Sequence, residues 1–211
     1  MMSRVEIKNW AKEHVSGKRW AIWKAVLLCF IISWITTFIL GFISGFTNNE
    51  IISMLVSILS MFITMPLSFG VCKFLKNFVV NDTTDTYDVT SLYKDTVKIV
   101  ILSILISIIT MLGFVCLIIP GIILVFSFAI VPYIYENNRD LGYIEILKLS
   151  YNMMKGHKLD LLVLELSFIG WMILSSFTLG ILYIWLLPYY QTAITKFYVE
   201  VENDYKSKIQ Q

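Results

Sequence analysis

Between Ile99 and Tyr135 the chain carries no Asp, Glu, Lys, Arg or His. A bilayer core about 30 Å thick needs about 20 helical residues to cross it. The run is too long for one crossing and about right for two short ones, so it must reverse inside itself. Pro120 and Gly121, within IIPGII (Ile118 to Ile123), mark the place. Proline lacks an N–H and disfavours helix at the residue before it, and glycine gives freedom for a tight reversal. At a membrane face, headgroups and water satisfy the backbone groups that two helix ends leave unpaired.

The rest of the chain agrees. Its residues are 57% hydrophobic and 15% charged, with a mean hydropathy of +0.74. A soluble domain carries about 25% charged residues, so lipid must hide most of this chain. A net charge of +2 argues against a nucleic-acid partner. Cys29, Cys72 and Cys116 are isolated in apolar stretches, which indicates buried hydrophobes and neither a disulfide framework nor a zinc site. The first long apolar run, Ala25 to Phe46, exceeds the 7–15 residues of a signal core and lacks a cleavage pattern, so it reads as a helix that stays.

Uncharged runs place six helices at about 25–46, 51–72, 99–118, 121–136, 160–178 and 181–199. Asn48-Asn49-Glu50, Pro120-Gly121 and Leu179-Gly180 are minimal connections, whereas 73–98 and 137–159 are long and charged. All 17 Lys and Arg lie in the N-terminal segment, the two long loops or the C-terminal end from Lys196 onward. Basic residues near helix ends stay cytoplasmic. The expectation is an all-α polytopic membrane protein: six transmembrane helices as three hairpins, with N- and C-termini cytoplasmic. It forms a single membrane domain over 1–211, with a basic amphipathic segment 1–24, a bundle 25–199, an interfacial helix near 140–155 and a tail 200–211. In the first segment Ser3 and Glu6 form a capping-box pattern ahead of Val5, Ile7, Trp10 and Ala11, with Gly17 as a stop. In the second Asp140 is the candidate cap, and Ile144, Leu147, Tyr151 and Met154 share a face that ends at Gly156. Both segments suit the membrane surface, with partner binding as the alternative.

The remaining prolines suggest a repeat. Pro66, Pro132 and Pro188 each stand seven or eight residues before a basic residue, Lys73, Arg139 or Lys196. Kinks there would splay the cytoplasmic halves, free carbonyls near Phe62, Phe128 and Ile184, and open a cytoplasmic vestibule.

Few residues invite chemistry. Small residues recur at Ser33, Thr37, Gly41 and Gly45, and hydroxyls stripe the second and third helices. These read as helix packing, with a polar solute path as the alternative. Glu165 is the one carboxylate within an apolar run, about 10 Å into its helix, and Lys158 lies on the same face to satisfy it by snorkelling. Asn81 to Asp88 gathers Asp82, Asp85 and Asp88. This brushes the aspartate pattern of membrane prenyltransferases, but the last aspartate is one residue early and no second motif follows. A polar loop with a helix cap is the plainer reading, and no metal site is assigned. No nucleophile elbow, zincin or phosphate-loop motif occurs, so neither an enzyme nor a cofactor is expected.

IPGII, SYNMMKGHK (Ser150 to Lys158), LSFIGW (Leu166 to Trp171) and TLGILYIWLLPYY (Thr178 to Tyr190) resemble the bacterial family labelled domain of unknown function 975, over nearly the whole chain. The resemblance implies a multi-pass protein of the bacterial cytoplasmic membrane and carries no catalytic residue. Within its motifs, Trp171, Pro188 and Tyr189 are expected to form the packing centre of the last hairpin, with the Ile184 carbonyl as a partner for Trp171 or Tyr189. The function class expected is a non-catalytic lipid- or partner-binding membrane interaction protein. Its partners would be membrane lipid or another membrane protein, and Glu165, Trp171 and Tyr189 are the candidate binding residues. A small transporter or efflux accessory for an apolar or zwitterionic molecule is the alternative.

Overall fold

Ser3 opens the first helix, α1 (Arg4–Val15), as its spacing predicts. In the computed structural model, which describes residues 2–47 and 49–209, Glu6 N donates to Ser3 Oγ at 3.3 Å and Ser3 N donates to Glu6 Oε2 at 2.6 Å. Gly17, at φ +86°, takes the left-handed conformation that ends helices. Next come α2 (Arg19–Thr47) and α3 (Glu50–Asn81), the latter capped by Asn49 Oδ1, which accepts from Ile51 N at 2.9 Å. Asn48, central to the first expected turn, lies outside the described residues. Two 3-10 turns, Thr86–Val89 and Ser91–Asp95, lead into α4 (Thr96–Cys116). Then follow α5 (Ile118–Phe128), α6 (Val131–Ile134), α7 (Tyr143–Met153), α8 (Lys158–Phe177) and α9 (Tyr183–Ile209).

Among the described residues four helical segments are long and apolar enough to cross a membrane: Arg19–Phe46, Glu50–Asn81, Thr86–Cys116 and Lys158–Phe177. Ile118–Ile134 is a shorter apolar segment, broken near Ala129 into α5 and α6. The sixth expected crossing, 181–199, falls within α9, which is not one of the four. Its apolar stretch soon gives way to the charges of Lys196, Glu200, Glu202 and Asp204.

The uncharged run does reverse, but not on Pro120-Gly121. The break is Leu117, in extended backbone at φ −167°. Pro120 sits in the first turn of α5, where its missing N–H has little to lose. Gly121 serves close approach rather than a turn: a Cβ there would lie 2.4 Å from the Phe114 ring, and one on Gly113 would lie 2.6 Å from Leu124 Cδ1. The pair lets α4 and α5 pack tightly just inside the reversal. Cys116, expected to be buried, is exposed beside it.

Burial is concentrated at the charged ends of the helices. In α3 the buried residues run from Pro66 to Val79, and none lies between Glu50 and Met65. Three apolar clusters result. One joins α1, α6, α8 and α9 around Phe168 and Phe197; one joins α2 and α3 around Phe74 and Phe78; one joins α3, α4, α5 and α7 around Leu102 and Tyr135. Beyond them Phe38, Phe42 and Phe46 on α2, Ile51 and Met54 on α3 and Val115 on α4 are exposed. The chain covers its own apolar surface at one end and leaves it open at the other.

The prolines close the charged end instead of splaying it. Helices α3 and α9 run continuously through Pro66 and Pro188, and both prolines are buried. Near each of the three, a carbonyl upstream is taken by a side chain from another element. Tyr93 OH donates to the Ile63 carbonyl at 2.8 Å, Ser150 Oγ to that of Ser127 at 2.6 Å, and Trp23 Nε1 to that of Ile184 at 2.8 Å. Of these only the Ile184 carbonyl, four residues before Pro188, is one whose ladder donor a proline removes. The three bonds fasten neighbouring elements, and the expected vestibule is replaced by packed core.

Candidate functional site

The interfacial helices are packed more deeply than amphipathicity alone predicts. In α1 the apolar face of Ile7, Ala11 and Val15 is buried, and Ile7 and Ala11 belong to the cluster built on α8 and α9. The contacts run in opposite chain senses. Met2 N meets Glu200 Oε2 at 3.4 Å, Lys196 Nζ lies 4.7 Å from the Trp10 ring centroid, and Arg19 Cζ lies 4.3 Å from that of Trp185. Helix α1 therefore lies antiparallel along α9, with its apolar stripe on protein rather than lipid. Helix α7 is capped from Gly142, whose N–H donates to Glu145 Oε2 at 2.7 Å, and not by Asp140. Leu147 and Met154 are buried, while Ile144 and Tyr151 stay exposed.

Laying α1 on the last hairpin leaves a cleft of about 500 Å³. Lys8 and Lys12 of α1 and Arg19 at the head of α2 form one wall; Trp171 of α8 and Trp185 and Tyr189 of α9 form the other. Lys8 Nζ donates to Ser167 Oγ at 3.3 Å and sits 4.7 Å from the Phe168 ring centroid. Among the described residues, Lys8, Lys12 and Arg19 have no carboxylate partner, whereas three cations of the packed end do. Lys73 bridges Glu136 and Asp88 at 2.7 and 3.3 Å, Arg139 meets Asp95 at 2.9 Å, and Lys76 meets Glu202 at 2.6 Å. The cleft thus joins unneutralised positive charge to aromatic surface, which suits a ligand with an anionic head and an apolar body.

Of the sequence candidates, Trp171 and Tyr189 line this cleft and Glu165 does not. Trp171 is 50% exposed, so it is not the packing centre. That place belongs to the fully buried Phe168, edge-on to Tyr189 and Tyr190 with ring centroids 5.1 and 5.2 Å away. The Ile184 carbonyl goes to Trp23, neither to Trp171 nor to Tyr189. Glu165 is half-buried beside Tyr190 and Tyr198. It makes no ion pair among the described residues, because Lys158 turns away to lie 4.2 Å from the Tyr151 ring centroid.

The aspartates of the 81–88 loop point to separate tasks. Asp82 pairs with Lys18 and, at 3.2 Å, with His14 Nε2. The Lys18 ammonium holds the Asp82 carboxyl below the usual carboxylate value. Asp85 Oδ1 accepts from Tyr87 N at 2.9 Å, and Asp88 accepts from Asn77 Nδ2 at 2.7 Å besides its pair with Lys73. His157 is bound at 3.1 Å to Asp204, whose carboxyl Lys208 holds low. Sequence reasoning missed Lys8, Lys12, Arg19 and Trp185 as one group. The i, i+4 pair Lys8–Lys12 was visible on the polar face of α1, but nothing in the sequence showed what that face would meet.

A family profile described as Protein of unknown function (DUF975) matches the chain over residues 1–128 and 108–204. No curated protein and no solved structure matches it.

Proposed function

The chain belongs to the DUF975 family, whose description names no reaction, and from its own geometry we propose a non-catalytic, multi-pass protein of the bacterial cytoplasmic membrane that holds a lipid between α1 and the last hairpin. The observation that carries this reading is the cleft, in which Lys8, Lys12 and Arg19 stand over Trp171 and Trp185 without carboxylate partners among the described residues. Cationic side chains beside exposed tryptophan suit the boundary between headgroups and acyl chains. A helix fastened along α9 holds its cations in place, so the site is preorganised. The topology that goes with this reading is three hairpins with both termini cytoplasmic, supported by the confinement of Lys and Arg to the long connections and the termini.

Native mass spectrometry of the protein, extracted gently from its own membrane, tests the reading. A retained lipid whose occupancy falls in Arg19→Gln supports it. A stoichiometric protein partner on a lipid-free chain overturns it. A second reading, a small transporter, rests on Glu165, half-buried in an apolar helix and without an ion pair among the described residues. Such carboxylates mark substrate or ion paths. Glu165→Gln abolishes uptake or efflux under this reading and leaves lipid occupancy unchanged under the first.

A further inference from the structure

We propose that the α1–α9 cleft selects a lipid bearing a phosphate monoester, a headgroup with two negative charges, over lipids with a single phosphodiester charge. This rests on the lipid-binding reading above and names the chemistry that reading leaves open. The argument is one of charge complementarity. Lys8, Lys12 and Arg19 bring three positive charges to the cleft. The carboxylate nearest them in the chain, Glu13, lines the adjoining depression with Lys12 but makes no ion pair with it. The lining of the cleft itself carries these three cations and no carboxylate, an excess that two negative charges offset more fully than one. A singly charged headgroup offsets only part of this charge and leaves cations of the cleft facing one another, which a second negative charge relieves. A phosphate monoester carries about −1.5 to −2 charges at pH 7, with its second pKa near 6.

The cations reach the cleft from two helices. Lys8 and Lys12 stand one helical turn apart, and Arg19 enters from α2. Its guanidinium rests on the Trp185 ring at 4.3 Å, which leaves its in-plane N–H donors free to grip phosphate oxygens. The apolar side favours a lipid over a soluble anion. Trp171 and Trp185 are 50% and 56% exposed, and Leu182 continues the wall towards the exposed 178–182 turn. A free phosphate has no use for that surface, whereas an acyl chain covers it.

The test uses the full chain in detergent with dioleoyl phosphatidate, dioleoyl phosphatidylglycerol and dioleoyl phosphatidylcholine at equal concentration, read by native mass spectrometry at pH 7.5 and pH 5. We expect phosphatidate to be retained at least about five-fold over phosphatidylglycerol, since each cation near a membrane is worth about that factor per charge. The preference should shrink at pH 5, where the monoester regains its second proton. Lys8→Gln, Lys12→Gln and Arg19→Gln should each weaken phosphatidate retention about five-fold, with unchanged melting temperature. Lys94→Gln and Lys148→Gln, exposed cations remote from the cleft, should not. Equal retention of phosphatidate and phosphatidylglycerol, both weakened by the cleft variants, refutes the monoester preference and leaves lipid binding standing. Retention that ignores the cleft variants removes both. Displacement of phosphatidate by millimolar glycerol 3-phosphate would make the ligand a soluble anion and also overturns the proposal.

Discussion

Replacing Glu202 by glutamine tests whether the charged end is held together by ion pairs. The residue is 5% exposed, its Oε2 is 2.6 Å from Lys76 Nζ, and its Oε1 is 2.7 Å from Lys206 Nζ. Lys76 also donates to the Tyr133 carbonyl at 2.9 Å, so one ammonium joins α3, α6 and α9. Burial pushes the Glu202 carboxyl up, but hydrogen bonds and charge from Lys206 and Lys76 outweigh it and hold the group below its ordinary value of 4.5. Glutamine keeps an acceptor and removes the charge, which strands Lys76 in a largely buried site. Taking one partner from a buried pair costs about 3–5 kcal/mol. The retained acceptors put this case near the lower end, about 3 kcal/mol. At about 2–4 °C per kcal/mol for a chain of this size, Glu202→Gln should lower the melting temperature by about 6–12 °C at pH 7. A detergent melt followed by tryptophan fluorescence reads this directly. The pH dependence has a definite sign. A depressed folded-state value means the contribution is complete above the unfolded value of about 4.5 and is lost as pH falls through the lower folded value. The gap between wild type and variant should therefore close on the acid side of that value. Lys76→Met with Glu202→Leu removes both charges and should lose much less than the single variant. A shift under about 2 °C at pH 7, or a double variant less stable than Glu202→Gln, refutes the reasoning.

Three further outcomes follow from other contacts. Trp23→Phe removes the donor to the Ile184 carbonyl and should cost about 0.5–1.5 kcal/mol, while Trp171→Phe, at a half-exposed position, should change stability by under about 0.5 kcal/mol; the same melt compares them. Gly70→Ala places a Cβ 1.9 Å from the Val89 carbonyl oxygen. Backbone cannot yield there, so the variant should fail to accumulate as a monodisperse peak in size-exclusion chromatography. Gly41→Ala meets open space and should accumulate normally. In a Cys29→Ser, Cys72→Ser background, Cys116 beside the Leu117 reversal should react with an impermeant thiol reagent applied to intact cells. Labelling only after the membrane is opened would invert the proposed topology.

Much of the fold was legible because it depends on composition along short stretches. The uncharged runs located the apolar helices, since a span needs only length and hydropathy. Ser3, Glu6 and Gly17 marked α1 because capping is local chemistry. Expectations weakened wherever a residue's role depended on what came to meet it. Pro120 and Gly121 look like a turn by propensity, yet the reversal falls at Leu117, because Gly113 and Gly121 are needed where two helices touch. Trp171 and Tyr189 were singled out for a buried role. The structure gives that role to Phe168 and sets both residues on the wall of a cleft. Glu165 and Lys158 share a face by spacing, but Lys158 lies over the Tyr151 ring at the end of the preceding helix.

The sequence by itself determined that this is an all-helical chain with helices long and apolar enough for a membrane, and that charge gathers in its connections and ends. Those properties follow from hydropathy and backbone geometry, which act over a turn or a helix length. Only the tertiary structure decided that α1 lies antiparallel on α9, that side chains of other elements take carbonyls near the prolines, and that Lys8, Lys12 and Arg19 face Trp171 and Trp185. These are meetings between residues far apart in the chain, set by which side chains find partners. An amphipathic helix records that it has an apolar face, and packing alone selects whether lipid or protein covers it.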